Sequence, residues 1–284
     1  MTPERFSQTA VRVAISRAAH QLLDTPVVFD DPIAIPLVGP QGLAAIQAGG
    51  RSMDSRFARG LRAFLVARSR YAEEQLACAV AQGVYQYVIL GAGLDTFAYR
   101  NPHGASPLRV FEVDHPRTQA HKQRQLAAAG IPVPDSLAFV PMDFETQSLP
   151  AQLRLAGFRA DQPAFFSWLG VSMYLAPATV MSTLRWVAQS TTHGGGIVFD
   201  YVPPLSQQPW PLRLRLHLLS LRLAASGEPW LGFFDTVELM QAMKDLGFSH
   251  TANLGCADIN QRYFHQRTDG LVARGSGQLM YAAR

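Results

Sequence analysis

The sequence predicts an α/β fold, a mostly parallel sheet with helices on both faces, and three observations predict it. Strand-like and helix-like segments alternate from residue 86 to residue 201, the order that βαβ units require. The runs Val88-Ile-Leu and Ile197-Val-Phe are apolar without alternation, as strands covered on both faces must be. Pro116, Pro150 and Pro177 stand at or near the starts of the intervening helices, where a missing N–H costs nothing.

Residues 1–82 read as an N-terminal helical cap with no strand of its own. Ser7 to Leu23 carries Ala10, Val13, Ala14, Ala18 and Leu22 at helical spacing, and Pro26, Asp30-Asp31-Pro32 and Pro36 break it. A second helical region, Asp54 to Ala81, has Phe57, Leu61, Phe64, Leu65, Arg68, Tyr71 and Leu76 in rough register, and Gly83 ends it. The remainder, 83–284, reads as the sheet domain. Its strands are expected at Gln86–Leu90, Leu108–Val113, Leu137–Pro141, Ala164–Val171 and Gly196–Tyr201. Helices are expected from Thr96 onward and at Pro116–Ala129, Ser148–Ala156 and Pro177–Ser190. An insertion at about 203–234 interrupts the rhythm. Its segment Leu212–Leu223 is apolar and basic. A lid helix packed over the domain is favoured there over a membrane-surface helix, because leucine surrounds the arginines instead of segregating from them. Thr236–Leu246 is a helix closed by Gly247, and His250–Leu254 and Gln278–Ala282 are the last two strands.

Composition narrows the function. Hydrophobic residues make up 48% of the 284, enough for a packed core. Lys and Arg number 25 against 21 Asp and Glu, a net +4. Only Lys122 and Lys244 are lysines, and no basic block marks a nucleic-acid partner. No apolar run approaches the roughly 20 residues that cross a bilayer. The N-terminus carries Glu4, Arg5 and Arg12 with no apolar h-region before them, so no secretory signal is expected and a cytoplasmic protein is predicted. Cys78 and Cys256 lack C-x-x-C spacing, so no metal and no disulfide are expected, only two buried thiols in a reducing compartment.

The candidate site starts at Val88-Ile-Leu-Gly-Ala-Gly-Leu-Asp95. A strand that breaks at Gly91-Ala92-Gly93 lets backbone approach a bound nucleoside, since a Cβ would block both turn and ligand. A tight turn with no ligand is the competing reading. Asp114 ends the second strand 21 residues after Gly93, the distance at which an acid accepts from ribose hydroxyls. Glu112 shares its strand face and is an orienting or core carboxylate as readily as a contact. Asp143-Phe144 ends the third strand. It is suited to an adenine amino group and ring, or else to capping the next helix. The third glycine of G-x-G-x-x-G is absent, with Thr96 in its place, and no lysine-bearing phosphate loop exists. Asp95 at a helix start would repel a pyrophosphate. An adenosine ligand without phosphates points to S-adenosylmethionine, whose sulfonium tolerates acids and aromatic faces.

Four segments carry a resemblance: Val88-Ile-Leu-Gly-Ala-Gly-Leu-Asp-Thr-x-x-Tyr-Arg100, Phe111-Glu-Val-Asp-His-Pro116 with Gln119 and Lys122, Met142-Asp-Phe144, and Met173-Tyr-Leu175. They are similar to the leucine carboxyl methyltransferase family, which includes protein phosphatase carboxyl methyltransferases and bacterial relatives, some acting on polyketide carboxyls. Ser7-x-Thr-Ala10, Arg17-Ala18 and Asp31-Pro32 resemble the N-terminal segment of the bacterial branch, and Glu228-Pro229 with Gly232-Phe233 its lid region. The resemblance covers nearly the whole chain. It implies a seven-stranded class I methyltransferase (Rossmann-like) fold that binds S-adenosylmethionine. Gly91 and Gly93 would line the methionine part, Asp114 the ribose, and Asp143 and Phe144 the adenine, with Ala92, Asp95, His115 and Leu169 also at the cofactor. Arg70 is similar to an arginine that holds the cofactor carboxylate, with Arg68 as its competitor. One position departs: the family's glutamate before Gly-x-x-Met-Tyr-Leu is Leu169 here. That favours a small-molecule acceptor over a protein C-terminus.

A carboxylate acceptor is ionised near neutral pH and needs no general base, whereas a hydroxyl wants one. Tyr174, Ser172, Tyr201 and His115 are the candidates for positioning the acceptor, and no residue is marked as the base. Trp168, Trp210, Trp230 and Phe234 are candidates for an aromatic pocket, with Trp168 the better fit to core. The expected function is an O-methyltransferase for a small acid of natural-product type. A hydroxyl O-methyltransferase, a NAD-type oxidoreductase and a non-catalytic binding protein are the alternatives, and the oligomeric state is left open.

Overall fold

The strands expected from the apolar runs form one seven-stranded sheet in a computed structural model that describes residues 6–225 and 227–284, apart from the side chains at 211, 215, 222 and 223. The strands are β1 Gln86–Leu90, β2 Arg109–Asp114, β3 Leu137–Pro141, β4 Ala164–Trp168, β5 Gly195–Tyr201, β6 His250–Leu254 and β7 Gln278–Ala283. Their spatial order is β3-β2-β1-β4-β5-β7-β6. β1 to β5 pair in parallel, and β7 runs antiparallel between β5 and β6. This is the class I methyltransferase sheet that the resemblance implies. All five residues of β1 and of β4 are buried, which is why neither alternates in sequence. The order reverses between β1 and β4, and ligands of such sheets lie beyond the strand ends at that switch.

The front helices are α1 Gln8–Leu23, α2 Ala34–Met53 and α3 Arg56–Ala81. Ser7 caps α1 through its Oγ, which accepts from the Ala10 N–H at 3.1 Å. α2 begins where Pro36 was expected to keep the chain broken. Pro36 falls in its first turn, where no N–H has an acceptor to lose. α2 then breaks at Gly39, φ 64°. α3 lies against β4 and β5, and its Ala63, Phe64, Ala67 and Tyr71 share a core with Tyr87, Ile89 and Phe165 of the sheet.

A buried ion cluster joins these helices. Arg62 donates to both oxygens of Asp24, at 2.7 and 2.8 Å. His20 Nε2 accepts from the Val28 N–H at 2.8 Å, so its Nδ1 carries the proton it gives Asp24 at 2.9 Å. His20 therefore has a partner four residues on, which the sequence reading overlooked. Burial opposes charge on Asp24, but Arg62 and His20 outweigh it and hold its pKa at about 2, against an ordinary 3.8. A depressed acid stabilises the fold above its unfolded value, and the contribution, about 2 kcal/mol, is lost between about pH 4 and pH 2. Asp24→Ala leaves Arg62 buried without its partner and is expected to cost about 3–5 kcal/mol in denaturant unfolding. A loss under about 1 kcal/mol would show the cluster to be incidental.

The later helices are α4 Pro116–Ala128, α5 Leu149–Leu155, α6 Pro177–Ser190, α7 Trp210–Ala225, α8 Thr236–Asp245 and the short α9 Cys256–Ile259. Several expectations need correction. The helix from Thr96 is only a 3₁₀ turn, Phe97–Tyr99, because Pro102 bars Asn101 from a helical continuation. β4 ends at Trp168, short of Val171, and Gly170 turns the chain away at φ 77°. Cys78 is exposed and Cys256 half-buried, since the first sits on the outer side of α3. α9 and the turn Asn260–Phe264 were not anticipated. Among the described residues no helix is long and apolar enough to cross a membrane.

Candidate active site

A cavity of about 320 Å³ opens at the carboxyl ends of β1 to β4, within the range of small-molecule sites. Its floor is the chain after β1. Gly91 adopts φ 65°, and a Cβ there would come within 2.2 Å of Val171 Cγ2. Gly93 adopts φ 50°, and a Cβ there would lie 3.1 Å from Ala10 Cβ. Only glycine lets the chain take these conformations so close to Val171 and Ala10. The turn after β1 leads into the 3₁₀ turn Phe97–Tyr99 and not a full helix, so it presents no helix N-terminus to a phosphate. Asp95 caps the 3₁₀ turn, its Oδ1 accepting from the Phe97 N–H at 2.8 Å.

Asp114 is aimed by its own neighbourhood. Its Oδ2 accepts from the Gly93 N–H at 2.5 Å and its Oδ1 from the His115 N–H at 2.6 Å. Burial pushes its pKa above the ordinary value, against the pull of those two amides. Glu112 is fully buried, does not line the cavity, and pairs with Lys122 at 2.5 Å. Asp143 accepts from the Glu145 N–H at 2.9 Å and opens the turn that precedes α5. Phe144 also lines the cavity, its ring stacked on Trp168 at 6.4 Å between centroids. Trp168 itself is core, with no exposure.

Of the sequence candidates, Gly91, Ala92, Gly93, Asp95, Asp114, His115, Asp143, Phe144, Leu169 and Tyr174 line this cavity. Arg70 does not. Its side chain is 43% exposed, pairs with Glu74 and donates to the Val28 carbonyl. Arg68 lines the cavity in its place, 7% exposed and paired through Nη1 with the buried Asp200. Asp200 also accepts from the Gly170 N–H at 2.5 Å. Ser172 and Tyr201 lie outside the cavity too. Ser172 donates to the Asp200 carbonyl, and the Tyr201 hydroxyl bonds Thr236 and Asn253. Trp210 is 71% exposed on α7, and Trp230 packs on Phe233.

The remaining wall comes from segments to which the sequence reading assigned no site role. Ser7, Thr9, Ala10, Val13 and Arg17 of the first helix face Glu228, Pro229 and Leu231. Glu228 accepts from Ser7 Oγ at 2.7 Å, from the Thr9 N–H at 3.1 Å and from the Thr9 hydroxyl. The strap that follows α7, Gly227 to Leu231, contributes to the cavity wall, whereas among its described residues α7 contributes none. Arg17 bonds Asp31 and Thr96 through Nη2, while its buried Nε has no partner. Burial would raise the pKa of Asp31, but Arg17 and Arg100 hold it below the ordinary range. Ser7-x-Thr and Glu228-Pro229 were visible as segments; nothing in their spacing showed that they meet.

The profile of the leucine carboxyl methyltransferase family matches residues 10–188. The chain belongs to that family. YktD of Bacillus subtilis (strain 168), itself provisionally named an S-adenosyl-L-methionine-dependent methyltransferase, is 33% identical over 96% of this chain and 96% of its own length. Rv3787c of Mycobacterium tuberculosis (strain ATCC 25618 / H37Rv), named in the same provisional way, is 34% identical over 68% of this chain and 65% of its own. A DUF574 family protein from Streptomyces avermitilis superposes with TM-score 0.54 at 15% identity, over 95% of this chain and 96% of that one, a likeness of fold. This leucine carboxyl methyltransferase family member is an S-adenosylmethionine-dependent methyltransferase. The cavity fits that cofactor: a tight glycine turn at its floor, acids at successive strand ends, and two buried guanidiniums on the wall.

Proposed function

We propose that this family member methylates the oxygen of a small, largely apolar carboxylic acid of natural-product type. One observation carries the reading. Along the part of the wall formed by Ser7, Thr9, Val13, Tyr174, Pro229 and Leu231, no described side chain is a free base. Glu228 already accepts three hydrogen bonds. The Tyr174 phenol is pushed above its ordinary pKa by burial, so it remains a donor. His115 caps α4 beside Asp114, and its Nδ1 already accepts from the Arg117 N–H at 3.3 Å. An acceptor that arrives ionised needs no base, and this favours a carboxylate over a hydroxyl.

Asp114 then accepts from the ribose hydroxyls, and Asp143 and Phe144 hold the adenine. Arg68 takes the methionine carboxylate with a planar fork. Gly91 to Gly93 bring backbone beneath the methionine chain, and Leu169 gives that region an apolar wall. Tyr174 donates to the acceptor, and the unpartnered Arg17 Nε supplies a donor to an anion on the same wall. S-adenosylmethionine supplies the methyl group on a sulfonium when bound. The protein's own contribution is placement and exclusion of water, with the strap held down by Glu228.

Methyl-labelled cofactor, incubated with a panel of carboxylic acids and phenols and read by mass spectrometry, tests this. Labelled product is expected from acids, and mild base should release it, as an ester requires. Base-stable product from phenols alone would move the reaction to hydroxyl groups. Cofactor binding without any small-molecule product would overturn the acceptor class.

A further inference from the structure

Outside the cavity, the most unusual surface belongs to α7. Trp210 is 71% exposed, Leu214 52%, Leu218 49% and Leu221 54%. These four lie along one face at helical spacing. On the opposite side only Leu216 is buried among the described side chains, with Leu212 and Leu219 half-buried. Single exposed leucines are ordinary, but an aligned stripe of four marks a contact surface.

Charge selects the occupant. The 16-residue helix contains Arg213, Arg215, Arg222 and His217, and no Asp or Glu occurs anywhere from Tyr201 to Gly227. A second copy of this chain would bring the same cationic helix against itself, with no acid there to pair. A bilayer rich in anionic headgroups offers both an apolar phase for the stripe and counter-charge for the arginines. Trp210, at the start of the helix, suits the headgroup level. The helix is too short and too polar to span, so it would lie in the plane of the interface.

We infer that α7 docks this protein onto an anionic lipid surface. The inference does not depend on the acceptor proposed above, since it concerns a face away from the cavity. The two are adjacent in the chain: α7 ends at Ala225, and Gly227 to Leu231 contribute to the cavity wall. Docking would therefore hold that strap at the bilayer surface.

Co-sedimentation of the full chain with phosphatidylcholine vesicles holding about a third phosphatidylglycerol is the test. Binding is expected, weakened about tenfold or more on pure phosphatidylcholine or in high salt. Leu214→Glu with Leu218→Glu should reduce it about tenfold or more, while melting temperature and S-adenosylmethionine affinity stay at wild-type values. Trp210→Ser is the second variant, at a side chain too exposed to hold the fold. Failure to bind anionic vesicles overturns the inference, as does undiminished binding by both variants. A wild-type dimer in sedimentation velocity that the double variant dissociates, without vesicle binding, would assign the face to a second copy instead.

Discussion

Asp114→Ala is expected to lower S-adenosylmethionine affinity about a hundredfold or more. Hydrogen bonds to a charged acceptor contribute roughly 1.5–3 kcal/mol each, and two ribose hydroxyls would be lost together. The Gly93 and His115 amides fix both carboxylate oxygens in place, so the site is organised before the ligand arrives. The fold should survive. Burial raises the Asp114 pKa, which means that its ionised form opposes folding at neutral pH, and its removal relieves that term. The same raised pKa sets a pH dependence: affinity should fall on acidification while the pH is still above the ordinary carboxylate range. Isothermal titration beside a thermal melt reads both quantities. Wild-type affinity in the alanine variant would sink the ribose assignment.

The second large effect separates two arginines. Arg68→Lys is expected to weaken cofactor binding about tenfold or more, because an ammonium keeps the charge facing Asp200 but loses the planar fork that grips a carboxylate. Lysine is the informative replacement. Alanine would leave Asp200 buried without its partner and cost about 3–5 kcal/mol of stability, confusing binding with unfolding. Arg70→Ala should leave affinity unchanged, since its pair with Glu74 is exposed and such pairs contribute about 0–1 kcal/mol. The opposite result, with Arg70 essential and Arg68→Lys silent, would return the role to Arg70.

This pair shows where sequence reading runs out. Arg68 and Arg70 stand two positions apart on one helix, about 200° around its axis, so only one can face a given cavity. The motif Arg-Ser-Arg names both. Which one turns inward depends on how α3 lies against β4 and β5, a tertiary fact. Ser172 and Tyr201 failed for a related reason. Each sits near a strand end, yet Ser172 turns back to the Asp200 carbonyl and Tyr201 turns toward Asn253 of β6.

By itself the sequence determined the sheet and its ligand-bearing edge. Buried parallel strands must be unbroken apolar runs, and groups that meet a nucleoside must follow those runs. Gly91, Gly93, Asp114, Asp143 and Phe144 were therefore legible within a few residues of their strands. Only the tertiary structure decided the opposite wall. Ser7 and Thr9 reach Glu228 across separations of 221 and 219 residues, and no local period records a contact of that span. It likewise decided that the strap lines the cavity and that α7 turns Leu214, Leu218 and Leu221 outward. Leucines that surround the arginines read in sequence as a lid, and only the neighbours of α7 show which of them stay exposed.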